Sequence, residues 1–149
     1  MFCTLFWCSA PRAPPIRSTG QNAGWHDADM DGQRAQLEAF YRRYLQRCNE
    51  RGLDDLGEFV DPDVEVNGEP HGLQAYAEGL ASVIELVPDF HWDLRHLLID
   101  GCWLSAHLTD TGTAAGNRPV NLQEFAVYRL AGGRIVEVWG DLDRNRLTA

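Results

Sequence analysis

The run Arg134-Ile-Val-Glu-Val-Trp-Gly-Asp-Leu-Asp143 carries the most informative pattern of the chain. Its Val and Ile residues favour a β-strand, in which side chains alternate between two faces. Trp139, Asp141 and Asp143 stand two residues apart and would share one face. Two carboxylates after a Trp on one face predict a polar cavity wall. The alternative is that the strand frays into solvent after Trp139 and leaves the acids as surface charge.

Three further strands are predicted before this run, at residues 90–99, 103–113 and 120–130. Asp100-Gly101 and Ala131-Gly132-Gly133 predict tight turns between them, and residues 114–119 predict a loop. Successive strands joined in this way form hairpins. The second half of the chain is therefore expected to be an antiparallel meander.

Three helices are predicted ahead of the meander. Apolar residues recur at three- and four-residue steps from residue 33, in a short segment that ends at Asp61-Pro62, and from Gly72 to Pro88. A brief strand at residues 64–67 lies between the last two helices. Helices followed by strands indicate an α+β fold, with three N-terminal helices packed on the concave side of a strongly curved antiparallel sheet.

Size and charge exclude several classes of protein. A chain of 149 residues with 44% hydrophobic residues fits one domain. The net charge of −9 argues against a nucleic-acid or anionic-membrane partner, because no Lys/Arg stripe is present to displace counterions. No apolar run reaches the ~18 residues of a membrane span. We expect neither a nucleic-acid partner nor a membrane partner.

The domain is expected to span residues 33–147. Residues 1–31 contain Pro, Gly, Ser and isolated Trp without a structural period, which predicts a disordered tail or a mis-annotated start, with Met30 as the alternative first residue. The four cysteines form no disulfide framework, and this favours a reducing cytoplasm. No Cys or His pair has zinc-site spacing, so no metal is expected.

Several short motifs follow one another in a characteristic order: Leu53-Asp-Asp-Leu56, Gly72-Leu-Gln-Ala-Tyr76, Thr109-Asp-Thr-Gly-Thr113 and Gly133-Arg-Ile-Val-Glu-Val-Trp139, with Asp143 four residues later. Together they resemble the SnoaL-like polyketide cyclases and ester cyclases of the nuclear-transport-factor-2-like (NTF2-like) superfamily. The resemblance covers residues 33–147. It implies a cone-shaped fold that encloses an apolar pocket for a small apolar or polyketide-like molecule, and we expect a homodimer.

The resemblance also implies a chemistry. In these cyclases a carboxylate at the end of the last strand acts as general acid/base in an intramolecular aldol closure of a polyketide ester, without cofactor, metal or covalent intermediate. Asp143 matches this carboxylate by motif position. Asp141 shares its predicted face, and repulsion between the two carboxylates would raise one pKa towards neutrality. These are the first two catalytic candidates.

His107 is the third catalytic candidate. In the strand at residues 103–113 it shares a face with Trp103, Thr109 and other hydrogen-bonding residues, and that face is either wet or a polar cavity wall. The resemblance implies a cavity wall. Five residues are expected to line the pocket and bind substrate: Trp139, Trp103, Trp92, Asn67 and Thr109.

One departure from the family keeps other functions open. Thr111-Gly-Thr113 is usually followed by His in the catalytic members, whereas Ala114 follows here. A non-catalytic small-molecule-binding or dimerisation module is therefore an alternative. Another acid/base enzyme on the same fold, an isomerase or an epoxide hydrolase, is a further one. An epoxide hydrolase would use an Asp-Arg-Asp relay, and no Arg lies on the expected inward face of residues 103–113.

Overall fold

The computed structural model describes residues 24–142 and 145–148, with side chains from residue 29 onward. The elements follow in this order: α1 (Gly24–Asn49), a 3₁₀ helix (Leu53–Glu58), β1 (Val60–Val66), β2 (Glu69–Pro70), α2 (Leu73–Leu86), β3 (His91–Asp100), β4 (Trp103–Ala114), a second 3₁₀ turn (Ala115–Asn117), β5 (Arg118–Ala131), β6 (Arg134–Gly140) and α3 (Asn145–Thr148). The α+β class and the order of helices before strands are confirmed.

The helices differ from the prediction at three places. Helix α1 begins at Gly24, so residues 24–31 are helical and do not belong to a tail without structure. Residues 1–23 lie outside the described residues, and the prediction made for them stays a prediction. The expected second helix is a six-residue 3₁₀ helix, because β1 begins at Val60 and leaves little room for α-helical turns. The four-residue helix α3 was not predicted.

The strands form one curved, unclosed sheet in the order β2-β1-β6-β5-β4-β3. The antiparallel meander of β3 to β6 is confirmed, and its turns place Gly101, Gly132 and Gly133 at positive φ, where glycine is favoured. Strand β1 pairs in parallel with β6. No local sequence pattern predicts this pairing, because the two strands are far apart in the sequence.

The helices cover the concave face of the sheet, and the core lies between them. In β4 the side chains of Leu104, Ala106 and Leu108 are buried on this face, whereas Trp103 and Ser105 are exposed on the other. The apolar residues of β4 therefore determine which face is concave. This is the opposite of the orientation expected for residues 103–113.

A close approach at Gly112 in β4 gives a direct test of the packing. A Cβ there would lie 2.4 Å from Cγ1 of Val87 and 3.1 Å from Oδ1 of Asp89. Val87 is fully buried and has no room to move. We expect Gly112→Ala to lower the free energy of unfolding by ~1–3 kcal/mol in urea denaturation.

Gly79→Ala is the matched control. Gly79 lies within α2, and a Cβ there meets no atom within 4 Å. Alanine has the higher helix propensity, so this variant should gain ~0.5–1 kcal/mol. Equal effects of the two substitutions would contradict the packing described for β4.

Candidate active site

A cavity of about 240 Å³ lies between the two long helices and the concave face. Most of its wall is apolar and comes from side chains such as Val83, Leu108 and Val138. Its polar groups are contributed by six residues: Tyr44, Asn67, His71, Tyr76, Glu124 and Tyr128. A concave, mostly apolar cavity with a few convergent polar groups is the usual form of a small-molecule site.

Two carboxyl groups lie on the inner face beside this cavity. Asp110 on β4 is opposite Leu122, and Glu124 on β5 is opposite Leu108. The two acids are therefore diagonal neighbours on one face, close enough for their side chains to interact. Asp110 is 0% exposed and Glu124 is 8% exposed, and only Glu124 contributes to the cavity wall. We call Asp110 and Glu124 the carboxyl pair.

Burial raises the pKa of both members of the carboxyl pair. Desolvation, the charge of Glu124 and a hydrogen bond with it raise the pKa of Asp110 to about 9. Desolvation raises the pKa of Glu124 as well, and the charge of Asp141 acts in the same direction. Hydrogen bonds from Asp110 and Trp92 oppose that rise by stabilising the ionised form of Glu124. At neutral pH Asp110 therefore carries a proton, and the hydrogen bonds that it and Trp92 donate favour ionisation of Glu124.

Hydrogen-bond counting leads to the same arrangement. Within the described part of the chain, no other donor reaches either oxygen of Asp110 or Oε2 of Glu124. Two carboxylates offer only acceptors, so a proton on one acid, donated to the other, satisfies two of these three buried oxygens. An ionised pair without that proton would leave two unpaired buried charges.

Tyrosine hydroxyls occupy another part of the cavity wall. The hydroxyls of Tyr44 on α1 and Tyr76 on α2 are 2.5 Å apart, and the hydroxyl of Tyr41 lies 3.4 Å from that of Tyr128 on β5. Burial raises the pKa of all four phenols well above the ordinary value, so they remain protonated. Cys48 also lines the cavity, and burial raises the pKa of its thiol to about 12, which leaves little nucleophilic thiolate.

Two of the expected pocket residues do line the cavity. Trp92 is opposite Asp110 in the β3–β4 register and is buried. Asn67 follows β1 with a φ of 52°, and its Oδ1 accepts a hydrogen bond of 3.0 Å from the backbone N of Gly140. That bond anchors the end of β6 beside the cavity. The roles of both residues in substrate binding stay a prediction.

Trp139 and Asp141 do not face the cavity, and the expectation that they line it is wrong. Trp139 is 43% exposed and donates from Nε1 to Glu137. Asp141 lies at the surface, where its Oδ1 accepts a hydrogen bond from the backbone N of Phe125. Gly140 and Leu142 contribute to the cavity wall instead.

A β-bulge explains this reversal. Leu130 pairs with Ile135, but its neighbour Arg129 pairs with Glu137, so β6 carries one extra residue between the two pairs. Ile135 and Val138 are consequently both buried, and the alternation shifts by one residue between them. Asp143 lies outside the described residues, so its place in the site stays a prediction.

His107, Trp103 and Thr109 lie on the convex face, so the expectation that they line the pocket is also wrong. His107 is 2.9 Å from His96, measured between their Nδ1 atoms, and stacks on Phe125. Trp103 is partly exposed beside the guanidinium of Arg129. Thr109 is buried because Arg95 and Gln123 cover it on the convex face, and not because it faces the core. These hydrogen-bonding side chains lie on the outer face because the residues that alternate with them in β4 are apolar and face the core.

The carboxyl pair was missed, although the sequence carries a signal for it. Asp110 has the same parity as Leu104, Ala106 and Leu108, so the apolar pattern of β4 places an acid on the inner face. Glu124 likewise has the parity of Leu122 and Ala126 in β5. A charged residue among inward-facing apolar residues is rare without a functional or structural partner.

In residues 24–142 and 145–148, no three His, Cys, Asp or Glu side chains are placed to share a metal ion. Among the helices of the same residues, none combines the length and the apolar character needed to cross a membrane.

The fold and the cavity define an NTF2-like cone protein, and comparison with known proteins assigns the family. The profile of the SnoaL-like polyketide cyclases matches residues 38–149. The chain therefore belongs to the SnoaL-like polyketide cyclase family. Comparison with curated proteins gave no match.

Solved structures agree with this assignment. A SnoaL-like polyketide cyclase from Agrobacterium tumefaciens is 31% identical, with a TM-score of 0.69 over 75% of this chain and 94% of that one. IdmH from Streptomyces antibioticus is 18% identical, with a TM-score of 0.68 over 76% of this chain and 96% of that one. TsrD from Streptomyces laurentii has the same identity and coverage and a TM-score of 0.67. At 18% identity, the structures of IdmH and TsrD show only that the fold is shared.

The raised pKa of Asp110 predicts how stability depends on pH. The unfolded chain has an ordinary Asp pKa of ~3.9, so the folded chain binds this proton more tightly. The resulting stabilisation is complete below the unfolded pKa and is lost as pH rises through the folded pKa of about 9. We expect the free energy of unfolding to fall between pH 5 and pH 8, with a slope of up to ~1.4 kcal/mol per pH unit for each proton.

Asp110→Asn keeps a hydrogen-bond donor to Glu124 but removes the carboxyl group that titrates. The variant should therefore show a smaller decrease in the free energy of unfolding between pH 5 and pH 8, measured by urea denaturation. Asp54→Asn, on an exposed carboxylate, should keep the wild-type slope. The other charged groups that influence Asp110 are Glu124, Asp141 and Arg146, and they are unchanged in both variants. A wild-type slope in Asp110→Asn would show that Asp110 does not hold this proton.

Proposed function

We propose that this protein is a cyclase that carries out cofactor-free acid/base chemistry of the intramolecular aldol type on a small polyketide-like ester bound in the cavity. The observation that carries the proposal is Glu124, a carboxyl group with a raised pKa at the wall of a mostly apolar cavity. A carboxyl group whose pKa is raised towards the working pH can both accept and return a proton during one turnover.

The reaction can be written with Glu124 as the only proton carrier. The carboxylate takes a proton from the carbon beside a substrate carbonyl, and the electron pair of that C–H bond moves to the carbonyl oxygen as an enolate. The enolate carbon then bonds to a second carbonyl carbon of the same molecule, whose oxygen becomes an alkoxide. The proton held by Glu124 passes to this alkoxide, which restores the carboxylate.

Asp110 and Trp92 act through Glu124 in this scheme. Both donate hydrogen bonds to it, which stabilises its ionised form against the desolvation of the cavity. Asp110 lies behind Glu124 and is absent from the cavity wall. We therefore assign Asp110 and Trp92 as positioning residues, and Asp141 as a surface charge that raises the pKa of both members of the carboxyl pair.

Asp143 remains a competing candidate for the same step. Its support is its position in the family motif, whereas Glu124 is supported by burial, hydrogen bonds and contact with the cavity. His107 has less support than either, because its side chain lies on the convex face between His96 and Gln123.

A non-catalytic binding module is the second candidate function. It is favoured by Ala114, which is buried at the position where the resemblance leads us to expect a His. Such a module would use the carboxyl pair and the tyrosines only as hydrogen-bonding groups. Substitutions that keep hydrogen bonding but remove proton transfer separate the two functions.

Glu124→Gln is that substitution, since glutamine keeps the shape of glutamate but does not take up a proton at neutral pH. We expect it to lower the rate of deuterium incorporation beside the carbonyl of a ketone ester in D₂O by ~10²–10⁴-fold, with ligand binding retained. NMR follows the incorporation. Glu85→Gln, at the exposed end of α2, is the matched control and should exchange like the wild type.

Asp143→Asn is measured in the same assay. A full rate in Glu124→Gln together with a comparable loss in Asp143→Asn would move the role of base to Asp143. No exchange above background in the wild type would favour the binding module.

We also propose that the protein forms a homodimer through the convex face of the sheet. Leu98, Ser105, Val127 and Trp139 are paired in one row across four strands of that face. Leu98 is 70% exposed and the nearby Phe125 is 56% exposed. Contiguous exposed apolar side chains of this kind often mark protein interfaces.

Leu98→Lys should shift the protein from dimer to monomer in light scattering at micromolar concentration, because a lysine would have to be desolvated in the interface. Leu86→Lys is the matched control at an exposed leucine at the end of α2. A wild-type protein that is monomeric in this measurement rules out the dimer, and an unchanged dimer in Leu98→Lys rules out this face.

A further inference from the structure

The cavity presents hydroxyl donors that its own hydrogen bonds do not use. Four tyrosines carry four hydroxyl protons, and the two pairs Tyr41–Tyr128 and Tyr44–Tyr76 account for one proton each. Tyr41 donates to Tyr128 and Tyr44 donates to Tyr76, so the O–H groups of Tyr128 and Tyr76 remain available. In the described part of the chain, none of these hydroxyls forms a hydrogen bond to a carbonyl or carboxylate oxygen.

These donors are aimed at the cavity. Tyr44, Tyr76 and Tyr128 line it, whereas Tyr41 lies behind Tyr128 with its ring centroid 5.1 Å away. All three lining phenols are fully desolvated and stay protonated, so they act as donors at any physiological pH. A buried O–H without an acceptor is unfavourable, and a ligand oxygen would supply one.

The tyrosine hydroxyls and Glu124 lie along the wall of the same cavity. Glu124, Ala126 and Tyr128 alternate along β5 on the inner face, and all three line the cavity. The charge of Glu124 raises the pKa of both Tyr76 and Tyr128, which shows that the groups are electrostatically coupled. A ligand in the cavity therefore meets an acceptor at one part of the wall and neutral donors at another.

We infer that the hydroxyls of Tyr76 and Tyr128 form a binding site for a carbonyl oxygen, and that the ligand is a compact neutral ketone of one or two rings. The inference deepens the proposed function and rests on it, since the same hydroxyls would stabilise the enolate oxygen formed when Glu124 removes a proton. Neutral donors in a dry site stabilise such an oxygen because they need no reorganisation as charge develops.

Size and charge select this class of ligand. The cavity of about 240 Å³ is smaller than the ~300–1,000 Å³ of sites for drug-sized molecules, so it can enclose only part of an extended multi-ring polyketide but the whole of a compact ketone. No Lys or Arg side chain contributes to the cavity wall within the described residues, so a ligand anion would face Glu124 without a counter-charge. A neutral carbonyl group, by contrast, matches donors that carry no charge.

Infrared spectroscopy tests the contact directly, with 1-tetralone labelled with ¹³C at its carbonyl as the probe. At saturating protein the carbonyl band should lie at lower frequency than in hexane, because hydrogen bonds weaken the C=O bond. Tyr76→Phe and Tyr128→Phe should each return the band towards its hexane position. Each should also weaken binding by about three- to tenfold, as expected for one neutral hydrogen bond.

Tyr41→Phe is the matched control, because it makes the same change in the same cluster at a hydroxyl that does not line the cavity. It should leave the band at the wild-type position and the affinity within about twofold. Because the band is read at saturation, a variant that is merely less stable still reports on the contact. A band insensitive to Tyr76→Phe and Tyr128→Phe, or a ketone that does not bind, overturns the inference.

The same probe separates this inference from the proposed function. Glu124→Gln should keep the shifted band while deuterium incorporation into the ketone is lost. A tyrosine-dependent band without deuterium incorporation in the wild type would support the carbonyl site and contradict the cyclase. Deuterium incorporation that depends on Glu124, together with a carbonyl band that is the same in Tyr76→Phe and Tyr128→Phe as in the wild type, would support Glu124 as the base and contradict the carbonyl site.

Discussion

The contact between Asp110 and Glu124 is the constraint on which the site depends. Two acids on the inner face of a sheet are unfavourable for folding unless they share a proton, because each ionised carboxylate would lose its hydration without gaining a positive partner. The sheet register fixes them as diagonal neighbours, so the proton can be shared. The fold thus tolerates the pair in a protonation state that is also suited to acid/base chemistry. Stability and function are coupled at this point.

The rest of the cavity is consistent with a site that works with neutral groups. The tyrosines and Cys48 all have raised pKa values because they are desolvated, and none of them ionises near neutral pH. Glu124 is the group at the wall whose ionised form receives hydrogen bonds, from Asp110 and Trp92. A negative charge placed there would be weakly screened and would act strongly on a bound ligand. A carboxyl group that can accept a proton beside several fixed neutral donors is what an enolate-forming site requires.

The sequence was sufficient for the order of the elements and for the family, because hydrophobic periodicity and turn residues are local signals. It was insufficient for the faces of β4 and β6. In β4 the run of Thr and His residues suggested a cavity wall, but Leu104, Ala106 and Leu108 have the greater gain from burial and occupy the core. In β6 a bulge between Ile135 and Glu137, opposite Leu130 and Arg129 of β5, shifts the alternation, and nothing in the sequence marks where an extra residue is inserted. The parallel pairing of β1 with β6 is equally non-local.

Charged residues near the carboxyl pair also affect the pKa values of its two members. Asp141 raises the pKa of both acids, and Arg146 lowers that of Asp110. Arg146 is in α3, whose Leu147 is buried and accepts a hydrogen bond from Arg118 at the start of β5. The docking of this short helix therefore brings a positive charge towards an otherwise negative cluster. The packing of α3 thus moderates the raised pKa of Asp110, although α3 supplies none of the residues of the cavity wall.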